Sequence, residues 1–266
     1  MSACVPAKKI VVGIRPLGAL RTAQFSRWVR KTVAFTAAGL CLGLFAAGPA
    51  HAQAATEQHS SAIIATVTNA ETRPSMTPGP KRADFLGEPA STDARQVADW
   101  VVDTGDNHSL PFVIVDKKNP KVFVFDGHGH LLGAAPALLG LARGDNSAPG
   151  IGDRKLSQIR PEERTTPAGR FVASLGHNLG PQDILCVDYA AAISLHRVLA
   201  ANTKEHRLQR LAAASPLDRR ITFGCINVPV KFYDKVVHPT FTETNGIVYI
   251  LPEIKSIREV FFKSVS

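Results

Sequence analysis

The chain has 266 residues, close to balanced between apolar and polar, with a formal net charge of +9. That charge is unevenly placed: residues 1–52 hold seven Lys/Arg and no Asp or Glu, so the rest is nearly neutral. A basic surface for nucleic acid is therefore excluded as the source of the high charge, and the length suits one domain with a sizeable core.

Arg27, Arg30 and Lys31 precede the apolar run TVAFTAAGLCLGLFAAG, and Pro49-Ala50-His51-Ala52 follows as a small-residue exit. Positive flank, apolar stretch and A-x-A site predict a secretory signal over residues 1–52 and an exported protein. The membrane is then met only through that segment, if it is not cleaved. Cleavage removes Cys4 and Cys41 and leaves Cys186 and Cys225 in an oxidising compartment. Residues 53–90, rich in Ala, Thr, Ser and Pro, read as a flexible linker, and residues 91–266 as a single domain.

The domain opens with STDARQVADWVVDTG. A capping Ser or Thr, apolar residues at helical spacing and Gly105 as a stop predict a helix. PFVIVDK and KVFVFD are strand signals separated by KNP, and Asp126-Gly127 is a turn into HLLGAAPALLG, so a β-meander is expected. From Leu141 to Arg170 the pattern gives way to a long polar loop, a length that is usually functional. Its arginines, Arg143, Arg154, Arg160, Arg164 and Arg170, are either solvated or available to carboxylates. Strand signals resume at FVASLG and DILCVDYAAAISLH. Residues 197–214 are basic and helix-prone, a short helix starts near Pro229, GIVYILPE is the last strand and KSIREVFFKSV a terminal helix packing its apolar stripe on the domain. The fold class is mainly β with a few helices (α+β).

The stretch ITFGCINVP places Cys225 behind a glycine. On its own, Cys225 is a buried thiol, a disulfide partner of Cys186 or a nucleophile. A free thiol is mostly protonated at neutral pH and needs a base. His196, at the end of a strand run, is the candidate, and Gly224 lets the backbone turn and present N–H groups to an oxyanion. His128 and His130 flank a turn glycine without a third ligand nearby, so no metal is expected.

TFGCIN resembles the cysteine motif of the L,D-transpeptidase (YkuD-type) catalytic domain, a Ser/Thr-His-Gly-Cys-apolar-Asn signature with a histidine upstream. Thr222, Gly224, Cys225, Ile226 and Asn227 match it, and His196 resembles the upstream histidine. The meander, TTPAGRF and GIVYILP follow in order, so the resemblance spans residues 111–253. It implies a single β-sandwich or barrel-like core and a cysteine acyltransferase that cross-links peptidoglycan stem peptides through a thioester, without metal or organic cofactor. In that scheme Cys225 is the nucleophile, His196 the general base and Gly224 an oxyanion donor through its backbone. The Arg197 carbonyl orients His196, while Thr222, Phe223 and Asn227 face substrate; apart from the resemblance, Arg219 and Arg220, just before the motif, are candidate substrate contacts. Two departures stand out: Phe223 replaces the motif's second histidine, and 25 residues separate His196 from Thr222, more than the family's usual gap. Water as acceptor gives an L,D-carboxypeptidase; a degenerate site gives a wall-binding module. An envelope protein is a further possible acyl acceptor.

Overall fold

The computed structural model describes Val5–Pro6, residues 79–178 and residues 181–262. Apart from Val5–Pro6, the expected export signal and the linker up to residue 78 lie outside the described residues. No helix among the described residues is long and apolar enough to cross a membrane.

Helix α1 (Thr92–Thr104) begins where a capping hydroxyl is available: Ser91 Oγ accepts from the Ala94 N–H at 3.1 Å. It stops at Gly105, which adopts φ 69°, a left-handed conformation that glycine takes without steric cost. The strands, in chain order, are β1 (Val5–Pro6), β2 (Phe112–Asp116), β3 (Lys121–Phe125), β4 (Leu131–Pro136), β5 (Leu139–Gly140), β6 (Gly169–His177), β7 (Asp183–Asp188), β8 (Ile193–Arg197), β9 (Arg220–Thr222), β10 (Ile226–Val228) and β11 (Gly246–Ile250). Helix α2 is Arg207–Ala212. After β10 a helical run passes through α3 (Val230–Phe232), a π-helical turn (Tyr233–Val237) and α4 (His238–Phe241), and α5 (Ile257–Val260) comes last.

The main sheet has the order β10-β8-β7-β6-β11-β2-β3-β4, with β1 paired to β6. Its two ends nearly meet. Just beyond β4, Leu138 exchanges both backbone hydrogen bonds with Asn227 of β10, at 2.8 and 2.9 Å. The sheet is thus a nearly closed, barrel-like wall. Alternation along the strands sorts side chains to its two faces. Val113, Val115, Val122, Val124, Val248 and Ile250 fill the interior together with Leu185, Leu195, Ile226 and Val228. Phe112, Ile114, Phe123, Phe125, Ile247 and Tyr249 point the other way and are covered by α1 and α5. Burial of both faces is why these strands read as continuous apolar runs.

Several expectations take a more specific form in the structure. The linker was expected to run to residue 90, yet Asp84 bridges His130, and Phe85 is buried edge-on against Phe123 and Phe125. One aromatic side chain with a pocket to fill outweighs the polar composition around it. DILCVDYAAAISLH is a hairpin, β7 and β8, turned at residues 189–192, with the Asp188 carboxylate accepting from the N–H groups of Ala190 and Ala191. GIVYILPE ends the strand order in sequence but not in space: β11 lies mid-sheet, parallel to β2 and antiparallel to β6. Of residues 197–214, only α2 is α-helical. A 3-10 turn (Thr203–Glu205) precedes it, and His206 at φ 49° separates the two. The expected terminal helix is a single turn capped by Ser256, after which Phe261 and Phe262 pack against Trp100.

Candidate active site

Cys225 sits in the turn between β9 and β10. Two threonines build that turn. Thr222 Oγ1 donates to the Cys225 carbonyl at 2.6 Å and accepts from the Gly224 N–H at 3.2 Å. Thr166 Oγ1 donates to the Gly224 carbonyl at 2.8 Å and accepts from the Gly140 N–H at 2.9 Å. Gly224 is required here. Its φ is 130°, and a Cβ would stand 2.8 Å from both the Thr165 carbonyl oxygen and Ile193 Cδ1.

Strand β8 lies parallel to β10 with His196 opposite Asn227. Their neighbours Leu195 and Ile226 point into the barrel, so by alternation His196 and Asn227 point outward, where they meet. His196 Nδ1 is 2.8 Å from the Arg197 carbonyl, and Asn227 Nδ2 is 3.0 Å from Nε2. A carbonyl only accepts, so Nδ1 carries the hydrogen and Nε2 the lone pair. Arg197 is itself held: its guanidinium bonds Asp183 at 2.9 Å and Asp234 at 2.6 Å and lies over the Tyr233 ring.

The thiol of Cys225 is free and half-buried. It lies 3.5 Å from Ser194 Oγ, which donates to it, and 3.6 Å from the Ala192 carbonyl. Burial works against its ionisation, but the hydrogen bond and charge of His196, with help from the Ser194 hydroxyl and N–H, outweigh that and hold the thiol below its usual range. Cys186 is fully buried and disulfide-bonded, but not to Cys225.

Cys225, His196, Thr222, Phe223 and Asn227 line one cavity of about 390 Å³. The long loop supplies one wall, including Ile151, Arg154 and Ile159, and the segment after β8 supplies the other, including Leu199, Asn202 and Arg207. Both irregular regions flagged in the sequence therefore border the site.

Other expected roles change. The Gly224 N–H is turned onto Thr222, so it is engaged rather than free for an oxyanion. Thr222 spends its hydroxyl on the turn, and the Asn227 amide is taken by His196 and Arg207. Arg219 and Arg220 do not border the cavity. Arg219 donates to the Pro120 and Ala213 carbonyls. Arg220 is buried against Glu253 at 2.5 Å and the Lys117 carbonyl at 2.8 Å. Phe223 does border the cavity, with the Arg164 guanidinium stacked 4.0 Å from its ring centroid. Arg164 is thus engaged within the loop, as is Arg154, which pairs with Glu163, though both stay partly exposed. His130 is occupied by Asp126 at 2.8 Å.

The supporting residues missed in the sequence form a buried ionic cluster. Lys117 Nζ is fully buried. It donates to Asp145 at 2.8 Å, to the Gly144 carbonyl at 2.5 Å and to the Thr166 carbonyl at 2.9 Å. Burial pulls the Lys117 ammonium below its ordinary value, against the opposing pull of Asp145 and Glu253. Asp145 also accepts from the N–H groups of Glu253, Ile254 and Lys255. Burial resists its ionisation, yet Lys117 and these N–H donors bring it down to about 2. The one signal available was a lysine closing the apolar run PFVIVDK. Through Thr166 this cluster reaches the cysteine turn.

No family model matches the chain, and no curated relative does either. Solved structures it is similar to include the helical cell shape determining protein Pgp2 of Campylobacter jejuni, at 15% identity. That match covers 55% of this chain and 49% of the other, with a TM-score of 0.34. An L,D-transpeptidase of Mycobacterium smegmatis matches at 14% identity over 53% of this chain and 58% of the other, with a TM-score of 0.30. The L,D-transpeptidase LdtMt1 in complex with imipenem matches over the same shares at 14% identity and a TM-score of 0.31. The chain thus spans about half to three fifths of these proteins' lengths. At such low scores a functional reading rests on the chemistry of the site.

Proposed function

We propose that the protein is an exported cysteine acyltransferase of the L,D-transpeptidase type, acting on peptidoglycan stem peptides. The observation that carries this reading is a free, half-buried thiol whose ionisation His196 favours, facing a cavity that both residues line.

The steps follow from the donor set. His196 Nε2 takes the Cys225 proton in exchange for the hydrogen bond it accepts from the Asn227 amide, and the thiolate attacks the carbonyl carbon of the donor stem. The Cys225 N–H is the backbone donor next to the developing oxyanion, since the Gly224 N–H is engaged. The carbon–nitrogen bond breaks, the leaving amine takes the proton from His196, and an acyl thioester remains on Cys225. An acceptor amine then attacks the thioester; its carbon–nitrogen bond forms, the carbon–sulfur bond breaks, and the proton the amine loses passes through His196 to the departing thiolate. The Arg197 carbonyl keeps Nδ1 protonated throughout. Phe223, which has no proton to exchange, serves as an apolar wall braced by Arg164.

The test is intact mass of the protein after incubation with a donor tetrapeptide, for the wild type and for Cys225→Ala. A thioester adduct in the wild type alone is expected. Resolution by an added amine gives the transferase, and resolution only by water gives a carboxypeptidase. No adduct, with wall binding retained, overturns the enzymatic reading in favour of a binding module.

A further inference from the structure

A continuous chain of hydrogen bonds joins the segment after β8 to the site. Glu205 pairs with Arg207 Nε. Arg207 Nη1 is 2.7 Å from Asn227 Oδ1, and Asn227 Nδ2 is 3.0 Å from His196 Nε2. The chemistry at the two ends fixes every role between them. A guanidinium only donates, so the amide must present Oδ1 to it and turn its NH₂ to His196. The Arg197 carbonyl only accepts, so Nδ1 is protonated and Nε2 receives the amide hydrogen. Asn227 is 1% and His196 9% exposed, so water does not readily substitute for these partners.

We infer that Arg207 is a positioning residue that, through the Asn227 amide, holds His196 Nε2 as an acceptor and so sets how readily the imidazole takes the thiol proton. A protonated Nε2 would face the Asn227 NH₂, donor against donor. Turning the amide over would relieve that clash only by setting its NH₂ against Arg207. The contact thus opposes the imidazolium that stabilises the Cys225 thiolate, and Arg207 sets how strongly. The inference rests on the proposed function only for what the proton transfer accomplishes. It gives the 25-residue gap between His196 and Thr222 a part in the chemistry.

Charged and titratable groups near the imidazole come from several elements. Cys225 comes from the cysteine turn, Arg207 and Glu205 from the segment after β8, and Arg154 from the long loop across the cavity. The Arg197 guanidinium, on the same strand, is paired with Asp183 and Asp234. Removing Arg207 thus also removes a charge, and a double-mutant cycle separates the two effects.

The experiment is nitrogen-15 NMR of the full chain without substrate. The unmodified protein is expected to show a through-hydrogen-bond coupling between Asn227 Nδ2 and His196 Nε2. Its absence overturns the inference, and this measurement needs no variant to fold. Arg207→Gln is expected to speed alkylation of Cys225 by iodoacetamide at neutral pH severalfold and to have little effect in an Asn227→Ala background. No change, or an equal change in both backgrounds, overturns the inference, an equal change meaning that charge alone acts. Because substrate is absent, this outcome is independent of the acyl-adduct test. A missing adduct with the coupling intact would end the functional proposal and leave the Arg207 assignment standing.

Discussion

The two halves of the sheet are held by different physics. Strands β2, β3 and β11 are buried on both faces by aliphatic and aromatic side chains and by α1. The side that carries Cys225 is built from short strands, tight turns and irregular segments, and polar contacts fix it: Thr166 to Gly224, Thr222 to Cys225, Arg207 to Asn227, Lys117 to Asp145. Apolar burial is non-directional and tolerates repacking. Hydrogen bonds between buried groups specify positions, and losing one partner strands the other. The scaffold half thus supplies stability, and the site half spends directional contacts on geometry.

The sharpest way to separate the halves is His196→Ala, which should leave the fold in place. Acyl transfer is expected to fall by about 10²- to 10⁴-fold, the usual range for a lost general base. Alkylation of Cys225 by iodoacetamide, followed against pH, should have a wild-type midpoint below the ordinary thiol value of about 8.5 and a higher one in the variant. An unchanged midpoint would show that the imidazole does not act on the sulfur.

Lys117→Met breaks the rule that the polar half contributes geometry alone. It leaves Asp145 and Glu253 buried without their cation, and urea unfolding should report a loss of about 3–5 kcal/mol. Acid sharpens the same point. Asp145 is depressed in the folded state to about 2, so its contribution is present above the unfolded value of about 3.9 and lost as pH falls toward 2. In the variant this acid-dependent loss should shrink, because the folded and unfolded values move together.

Gly224→Ala acts on the turn itself. A left-handed residue pressed against the Thr165 carbonyl should cost about 1–3 kcal/mol, read as a lowered Tm together with slower alkylation of Cys225. The smallest effect is expected for Phe223→Leu, which keeps an apolar wall but loses the Arg164 stack, worth about 0.5–2 kcal/mol. Faster limited proteolysis within residues 141–170 would register it, and an unaltered cleavage pattern would show that the stack does not brace the loop.

How much of this was legible in the sequence follows the same division. Ser91 and Gly105 delimit α1 because capping and left-handed stops are local events. The β runs were legible because two-sided burial demands continuous apolar residues. The position of β11 was not, since sheet order depends on which edges remain open when the last strand arrives. The TFGCIN stretch pointed to Cys225 and His196, and to the Arg197 carbonyl. It could not reveal that Arg219 and Arg220 are committed elsewhere, because partners of theirs lie far off: Glu253 is 33 residues from Arg220, and Pro120 is 99 from Arg219. Arg207 was equally hidden. A basic, helix-prone run gives no sign that one of its guanidiniums meets an asparagine 20 residues on.

The backbone exchange between Leu138 and Asn227 joins the two margins of the wall, and the same Asn227 holds the imidazole from its side chain. Zipping up the barrel and arming the sulfur are thus one event at one residue. Warming that unfastens this margin should silence the thiol before the aromatic layer under α1 begins to melt, so reactivity and ellipticity should fade at different temperatures.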